Sequence, residues 1–374
     1  MRLIGGIMRC DFRLALLMSI ALLAPCKAIA GPALLFEAQS GKVLYGEDID
    51  DQWHPASLTK IMTAYLTFEA IKAGKVSVNS KLAYSEHASK QPPSKLGLPV
   101  GSEIELEVAL RSLIVKSAND IAVAIAEGIA GSEEAFVGRM NAKARSLGMS
   151  RTRFVNANGL PADGQVTTAH DLARLSRAVL RDFPRFRSYW ALTDMHVGKI
   201  RLQTHNDLLK TFEGADGMKT GFICDSGFNV VASATRDGVQ LMAIVLGETS
   251  TAERNIRAAA LLEHGYNMRG WKTLFSNDTI DNRAIAPDAK SAISIRSSVK
   301  VAVCGYRAKK VAKSKSRRQR AAKRTRPQKS HAQKAQINKK AQASKTKNRS
   351  NGATAASAKK GRARTASSSA PAGD

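Results

Sequence analysis

The chain has 374 residues, 24% of them charged, with a formal net charge of +27 at neutral pH and only four cysteines. That length holds two ordinary domains, and so few cysteines exclude the disulfide framework of a small secreted scaffold. The charge is concentrated: residues 307–374 carry 22 Lys or Arg against one acid, a net of +21 that leaves +6 for residues 1–306. A uniformly polycationic protein is therefore excluded, and the basic character belongs to a tail.

Residues 1–30 read as a secretory signal. Arg2, Arg9 and Arg13 precede an apolar run over 14–23, and Ala28-Ile29-Ala30 forms a small-x-small cleavage site before Gly31. The run is too short for a full membrane span, although an uncleaved N-terminal anchor is the rival reading. Cys26 stands in a lipoprotein-like Leu-Ala-Pro-Cys, but Pro25 directly before it argues against processing there. Removal of the signal leaves Cys224 and Cys304, which an exported protein can pair, although one candidate pair is no framework and two unpaired small apolar residues are the expectation.

The run ALLFEAQSGKVLYGE predicts a β-hairpin around Ser40-Gly41. A helix is predicted over 57–73 from apolar residues at 58, 61, 62, 65 and 68, followed by the loop-rich KQPPSKLGLPVG. Further helices are expected over 106–115, over 120–129, from 133 with Ser132 as N-cap, and over 169–181 ahead of Pro184. GMKTGFICDSGFNVVASATRDGVQLMAIVLGE reads as successive strands with a hairpin turn at Arg236-Asp237-Gly238, and a helix over 252–264 closes the region. Strands at both ends with helices between them predict an α+β sandwich, in which helices cover a mostly antiparallel sheet. Residues 31–275 suffice for its single core. Residues 276–306 are expected to be a short connecting segment, in which SVKVAVCGY can form one strand. Residues 307–374 have few apolar residues, no aromatics and one sign of charge, so disorder is expected.

Three pieces can carry chemistry. Ser57 and Lys60 lie one turn apart at the head of an apolar helix, where a lone ammonium is costly to bury unless it is paired or partly neutral. A neutral lysine there can activate a serine nucleophile without histidine. Ser117 and Asn119, between two predicted helices, can relay a proton and hydrogen-bond an amide. Lys219-Thr220-Gly221, on a strand, can hold a carboxylate, with the glycine permitting close backbone approach. Each piece alone has an ordinary reading: a helix cap with a snorkelling lysine, an N-cap, and a strand end. Ser-x-x-Lys recurs at Ser297/Lys300, Ser344/Lys347 and Ser357/Lys360, and Ser-x-Asn at Ser77/Asn79.

The conjunction is specific. Ser-x-x-Lys, Ser-x-Asn and Lys-Thr-Gly in this order, separated by 60 and 102 residues, form the signature set of penicillin-recognising serine enzymes. PASLTKIMTAYL, KSANDIAVAIAE, FVNANGLP and GMKTGF with GFNVVASA resemble the D-alanyl-D-alanine carboxypeptidases, the low-molecular-mass penicillin-binding proteins of serine peptidase family S11. The resemblance runs from about Leu34 to His264. It implies a penicillin-recognising, β-lactamase-like sandwich with Ser57 as acyl-forming nucleophile, Lys60 as general base and Ser117 as carrier of the proton to the leaving D-alanine. Asn119 would hold the peptide backbone, and Lys219 and Thr220, beside Gly221, the terminal carboxylate. The backbone N–H groups of Ser57 and Phe222 would form the oxyanion hole. The implied reaction removes the terminal D-alanine from peptidoglycan stem pentapeptides, with β-lactams as covalent inhibitors and no cofactor or metal. The implied location is the periplasm or cell envelope.

Two departures stand out: Ile223 replaces a frequent Thr, and the tail lacks the apolar face of an amphipathic membrane anchor. A β-lactamase shares the motifs, but Ala118 stands where class A enzymes carry Asp, and no Glu-x-x-Leu-Asn lies between Asn119 and Lys219. A D,D-endopeptidase would cut cross-links with the same machinery, and a non-catalytic wall-binding protein would use the cleft for recognition only. For the tail, export makes an anionic wall or lipid surface the expected partner and nucleic acid an unlikely one. A flexible solvated tail without a fixed partner is the plainer reading.

Overall fold

The apolar runs flanking Ser40-Gly41 pair as an antiparallel hairpin, β1 (Ala33–Glu37) with β2 (Val43–Glu47). The computed structural model describes residues 31–268, 277–292, 299–300 and 303–304. The expected leader over 1–30 and disordered tail over 307–374 lie outside the described residues. Residues 1–309 and 310–374 separate as two units, and the fold below is that of the first.

Two small hairpins, β3 (Lys81–Ala83) with β4 (Glu103–Glu105) and β5 (Asp194–Val197) with β6 (Ile200–Gln203), stand apart from the main sheet. The long strands β7 (Ala215–Ile223), β8 (Gly227–Arg236) and β9 (Val239–Glu248) complete that sheet in the order β2-β1-β9-β8-β7, antiparallel throughout. Asp237 (φ 48°) and Gly238 (φ 73°) turn β8 into β9, both left-handed as a two-residue hairpin of matching twist requires.

Strand alternation divides the core between the two faces of the sheet. Leu35, Val230, Ala232 and Val245 pack with Ala258 and Leu262 of the closing helix (Thr251–Asn267), whose first turn Ser250 caps. Leu34, Phe36, Val231, Met242 and Ile244 face the larger helical layer. That layer contains α1 (Lys60–Lys72), α2 (Leu106–Val115), α3 (Asn119–Ala130), α4 (Glu133–Ser146) and α5 (Ala169–Asp182); the closing helix is α6. Helices covering an antiparallel sheet give the predicted α+β sandwich.

α1 departs from its sequence pattern. The apolar spacing suggests one buried stripe, yet every residue from Lys60 to Phe68 is buried. A helix enclosed on all sides must satisfy its polar groups internally: Thr63 Oγ1 donates to Ala157 O at 2.6 Å and Thr67 Oγ1 to Thr63 O at 2.7 Å. A 3-10 turn, Ala56–Thr59, leads into it.

The stretch 276–306 is more than a connector. Ile280, Val299 and Val303 join the main core, and Thr279 bridges to Lys42. Buried His170 is shared between Asp50 (2.9 Å) and the Ile280 carbonyl (2.6 Å), while Asp50 also accepts from Ala286 N at 3.0 Å. Within the run expected as a strand, Val299, Lys300, Val303 and Cys304 are helical. Cys224 and Cys304, expected to be unpaired, form a disulfide across a Cα–Cα distance of 5.7 Å and a sequence separation of 80. The segment folds back over the β7–β8 turn, and only that return brings the sulfurs together.

Gly159 (φ +86°) illustrates how tightly the site region is assembled: a Cβ there would lie 1.8 Å from the Ala56 carbonyl oxygen. Gly159→Ala must therefore shift either the 157–160 loop or the turn before α1. The expected cost is about 3 kcal/mol or more of stability, read from the urea midpoint; a change below about 1 kcal/mol would contradict this packing.

Candidate active site

Ser57 lies in the 3-10 turn and Lys60 opens α1, so the i,i+3 relation places Lys60 Nζ 3.0 Å from Ser57 Oγ. The lysine is 1% exposed. Its nitrogen has two more acceptors, Asn119 Oδ1 at 2.7 Å and Asn158 O at 2.5 Å. An ammonium can donate to all three; a neutral amine can donate to the two from Asn119 and Asn158 and turn its lone pair to the serine hydroxyl. Burial, followed by the charge of Lys219, holds Lys60 well below the usual lysine range, with Asp120 opposing. This accounts for an ionisable group in an apolar wall: three polar partners satisfy it, and desolvation favours its neutral amine.

Between α2 and α3 the chain makes a sharp corner. Ser117 takes φ +59° and Ala118 is extended at the N-cap of α3. The corner aims Ser117 Oγ at Lys219 of β7, whose Nζ donates to it at 2.9 Å and to Thr220 O at 2.9 Å. Burial, then the Arg254 charge, lowers Lys219 to about 7. Asn119 is engaged at both ends, accepting from Lys60 and donating through Nδ2 to Pro92 O at 2.9 Å. One N–H of that amide would have to serve any bound peptide.

β7 passes close to Ser57. A Cβ at Gly221 would stand 3.0 Å from Ser57 N and 3.1 Å from Pro55 O, so the third residue of Lys-Thr-Gly must be small for the strand to lie against the 3-10 turn. The predicted site residues thus all converge, from three distant segments. Ser57, Ser117, Asn119, Thr220, Gly221 and Phe222 line one cleft of about 500 Å³, with Lys60 and Lys219 beneath its floor. Ile223 and Phe228 extend an apolar wall.

Two contributors escape a reading of the sequence. Asp120, fully buried, accepts from Leu96 N (2.9 Å), Gly97 N (2.8 Å) and Tyr84 OH (2.8 Å). It clamps the loop whose Pro93 and Ser94 line the cleft, and whose Ser94 carbonyl accepts from Asn119 N at 2.7 Å. Asp at a helix start reads as ordinary capping, so no signal sets it apart. Arg254, on the first turns of α6, is 3% exposed, lines the cleft and donates to His205 O at 3.2 Å. Burial lowers it to about 10, which leaves it charged at neutral pH. With Lys219 it makes one end of the cleft cationic, although in sequence it resembles any surface arginine of a helix. Replacing Asp120 by Ala would leave three backbone N–H groups, those of Leu96, Gly97 and Ile121, and a tyrosine hydroxyl without this acceptor. A loss of about 3 kcal/mol or more is expected, with faster amide exchange at Leu96 and Gly97 read by NMR; unchanged exchange there would refute the clamp.

A family model for D-alanyl-D-alanine carboxypeptidases, peptidase family S11, matches residues 21–250. The chain is 34% identical over 260 residues to the D-alanyl-D-alanine carboxypeptidase DacF of Bacillus subtilis, an alignment covering 67% of this chain and 66% of that protein. The chain thus spans slightly less than two thirds of the length of such relatives. The solved structure of penicillin binding protein 5 from Haemophilus influenzae superposes with a TM-score of 0.62 at 32% identity, covering 66% of this chain and 73% of that one. Penicillin-Binding Protein D2 from Listeria monocytogenes, solved in an ampicillin-bound form, superposes with a TM-score of 0.56 at 31% identity, covering 63% and 97%. The family match spans the helical layer, the sheet and all three motifs, and the chain belongs to the D-alanyl-D-alanine carboxypeptidase family, peptidase family S11.

Proposed function

We propose that this protein is a serine D-alanyl-D-alanine carboxypeptidase that trims peptidoglycan stem pentapeptides through an acyl-enzyme on Ser57. The observation that carries the reading is the buried Lys60 amine, 3.0 Å from the Ser57 hydroxyl and held below its usual pKa range. Lys60 takes the hydroxyl proton as Ser57 Oγ attacks the carbonyl carbon of the penultimate D-alanine. Negative charge develops on the carbonyl oxygen, where the N–H groups of Ser57 and Phe222 would each stabilise it by about 3 kcal/mol. The C–N bond then breaks as Ser117, bonded to Lys219, passes its hydroxyl proton to the departing amine and regains one from Lys60, which is thereby neutral again for the hydrolysis. Water hydrolyses the ester and restores Ser57. Lys219, Thr220 and Arg254 hold the terminal carboxylate that identifies a chain end, and Asn119 orients the peptide. A β-lactam presents a strained amide to the same nucleophile; the ampicillin-bound form of the Listeria relative supports this class as covalent inhibitors.

Export to the periplasm or envelope is part of the proposal. The arginine-led apolar leader supports it, and so does a disulfide, which persists in oxidising compartments. The tail over 307–374 would then meet anionic wall or lipid surfaces. Its deletion should weaken salt-dependent retention on isolated wall or membranes, and unchanged retention would remove that role.

Ser57→Ala is expected to abolish D-alanine release from pentapeptide-containing peptidoglycan, at least about 10⁴-fold, without unfolding the protein. Muropeptide masses read the outcome. Wild-type release by this variant refutes the mechanism, and conversion of cross-linked dimers to monomers by the native protein would assign an endopeptidase instead.

The pH dependence carries a defined sign. Acylation needs neutral Lys60, so its rate rises with pH; carboxylate capture needs charged Lys219, which is lost as pH passes about 7. The kcat/KM for a D-alanyl-D-alanine peptide should therefore fall on the alkaline side, and the same peptide with an amidated C-terminus should lack that fall. Identical alkaline limbs for both substrates would remove Lys219 from carboxylate binding.

A further inference from the structure

The acylation site is bordered on one side by the end of an edge strand. Among the described residues β7 has β8 as its only sheet neighbour, and its last two residues, Phe222 and Ile223, line the cleft. Cys224 follows directly, inside the turn that leads to β8. Within that turn Ser226 N donates to Ile223 O at 3.1 Å, Ile223 N to Ser226 Oγ at 3.2 Å, and buried Trp53 Nε1 to Ser226 O at 2.8 Å. The returning C-terminal segment meets the same turn. Val299 and Val303, both buried, join the core cluster that contains Phe228, and the Phe228 ring packs on Phe222 at 4.3 Å. Lys300 Nζ lies 3.2 Å from Asp225 Oδ1, and the Cys224–Cys304 disulfide closes the contact.

We infer that the Cys224–Cys304 disulfide is a positioning element for acylation, a covalent strap that fixes the β7 end on which Phe222 presents its backbone N–H and Ile223 its side chain. The inference rests on the carboxypeptidase reading above. An oxyanion donor must hold its place to a fraction of an ångström for its preorganised dipole to act. Here the strand end has a described sheet neighbour on one side only. The other attachments are non-covalent: the Lys300 side chain is 58% exposed, so water competes for its pairing with the buried Asp225 carboxylate. Val299 and Val303 add apolar packing, a non-covalent contact that can open locally. The covalent link removes that freedom, since it holds together segments 80 residues apart. Both cysteines are half-buried.

The test follows reaction of the full mature chain with a fluorescent penicillin by stopped flow, resolving the pre-acylation dissociation constant from the acylation rate constant. Three forms are compared: the oxidised protein, the same protein treated with dithiothreitol, and Cys304→Ser. Dithiothreitol passes two electrons and two protons to the bridge and closes into its own cyclic disulfide. The expected result is an acylation rate constant about tenfold lower in the reduced and Cys304→Ser forms, with an unchanged dissociation constant and recovery on reoxidation. Lys300→Ala should leave both constants unchanged. An unchanged acylation rate constant, even with a lower melting temperature, would overturn the inference by making the disulfide structural only. A change confined to the dissociation constant would overturn it as well. If Cys304→Ser fails to fold, reduction of the already folded protein decides alone. Absence of acylation in the oxidised form would overturn the carboxypeptidase reading and this inference with it.

Discussion

A lysine held in the core organises this molecule. Lys60 sits at the start of a helix enclosed on every side, and a charge in that position is tolerated only with its protons directed to acceptors. The acceptors come from three places: Ser57 one turn away, Asn119 at the head of the next buried helix, and the carbonyl of Asn158 in a loop nearly a hundred residues on. Satisfying one nitrogen therefore fixes the relative placement of the turn before α1, the α2–α3 corner and the 157–160 loop. These same segments line the cleft. Structural satisfaction and chemical competence are the same set of bonds.

A second buried lysine repeats the logic on the opposite wall. Lys219 projects from β7 to Ser117, so the two lysines approach each other around a serine corner. The charge of Lys219 lowers the proton affinity of Lys60, and that of Arg254 lowers the proton affinity of Lys219. Burial dominates both shifts, and position then divides their tasks. On the proposed reading Lys60, beside the Ser57 hydroxyl, is the group that accepts a proton. Lys219, beside Thr220 and Arg254, belongs to the end of the cleft where positive charge gathers. Nothing in the residue type distinguishes these roles.

Close backbone approach makes the arrangement possible. Gly221 lets β7 lie against the 3-10 turn of Ser57, and Gly159 lets the 157–160 loop touch the Ala56 carbonyl. Side chains at either point would separate Ser57 from the strand or Lys60 from its carbonyl. The C-terminal return adds support from outside, through His170 and Asp50 at one point and Cys224–Cys304 at another. The sandwich is thus completed by residues well beyond its last strand.

Local pattern is enough to read most of the elements: the Ser40-Gly41 and Asp237-Gly238 hairpins, the helices over 106–115 and 169–181, and Ser132 as an N-cap all depend on interactions within a few residues, and the structure repeats them. Ser57 and Lys60 can be paired on one helical turn for the same reason. The three motifs are legible because their residue types are chemically constrained and recur in a fixed order. The full burial of α1, the clamp made by Asp120 and the cation of Arg254 are not, because each is defined by what lies against it in space. Asp120 needs the 94–97 loop and Arg254 the far end of β7 to differ from ordinary helix residues. The pairing of Cys224 with Cys304 runs against the sequence expectation for the same reason: spacing along a chain does not reveal a return path, and two thiols bond only where tertiary packing brings their backbones within reach. Sequence by itself determined the chemistry available and the local structure that presents it; tertiary structure decided which groups are desolvated, which are paired, and therefore which can act.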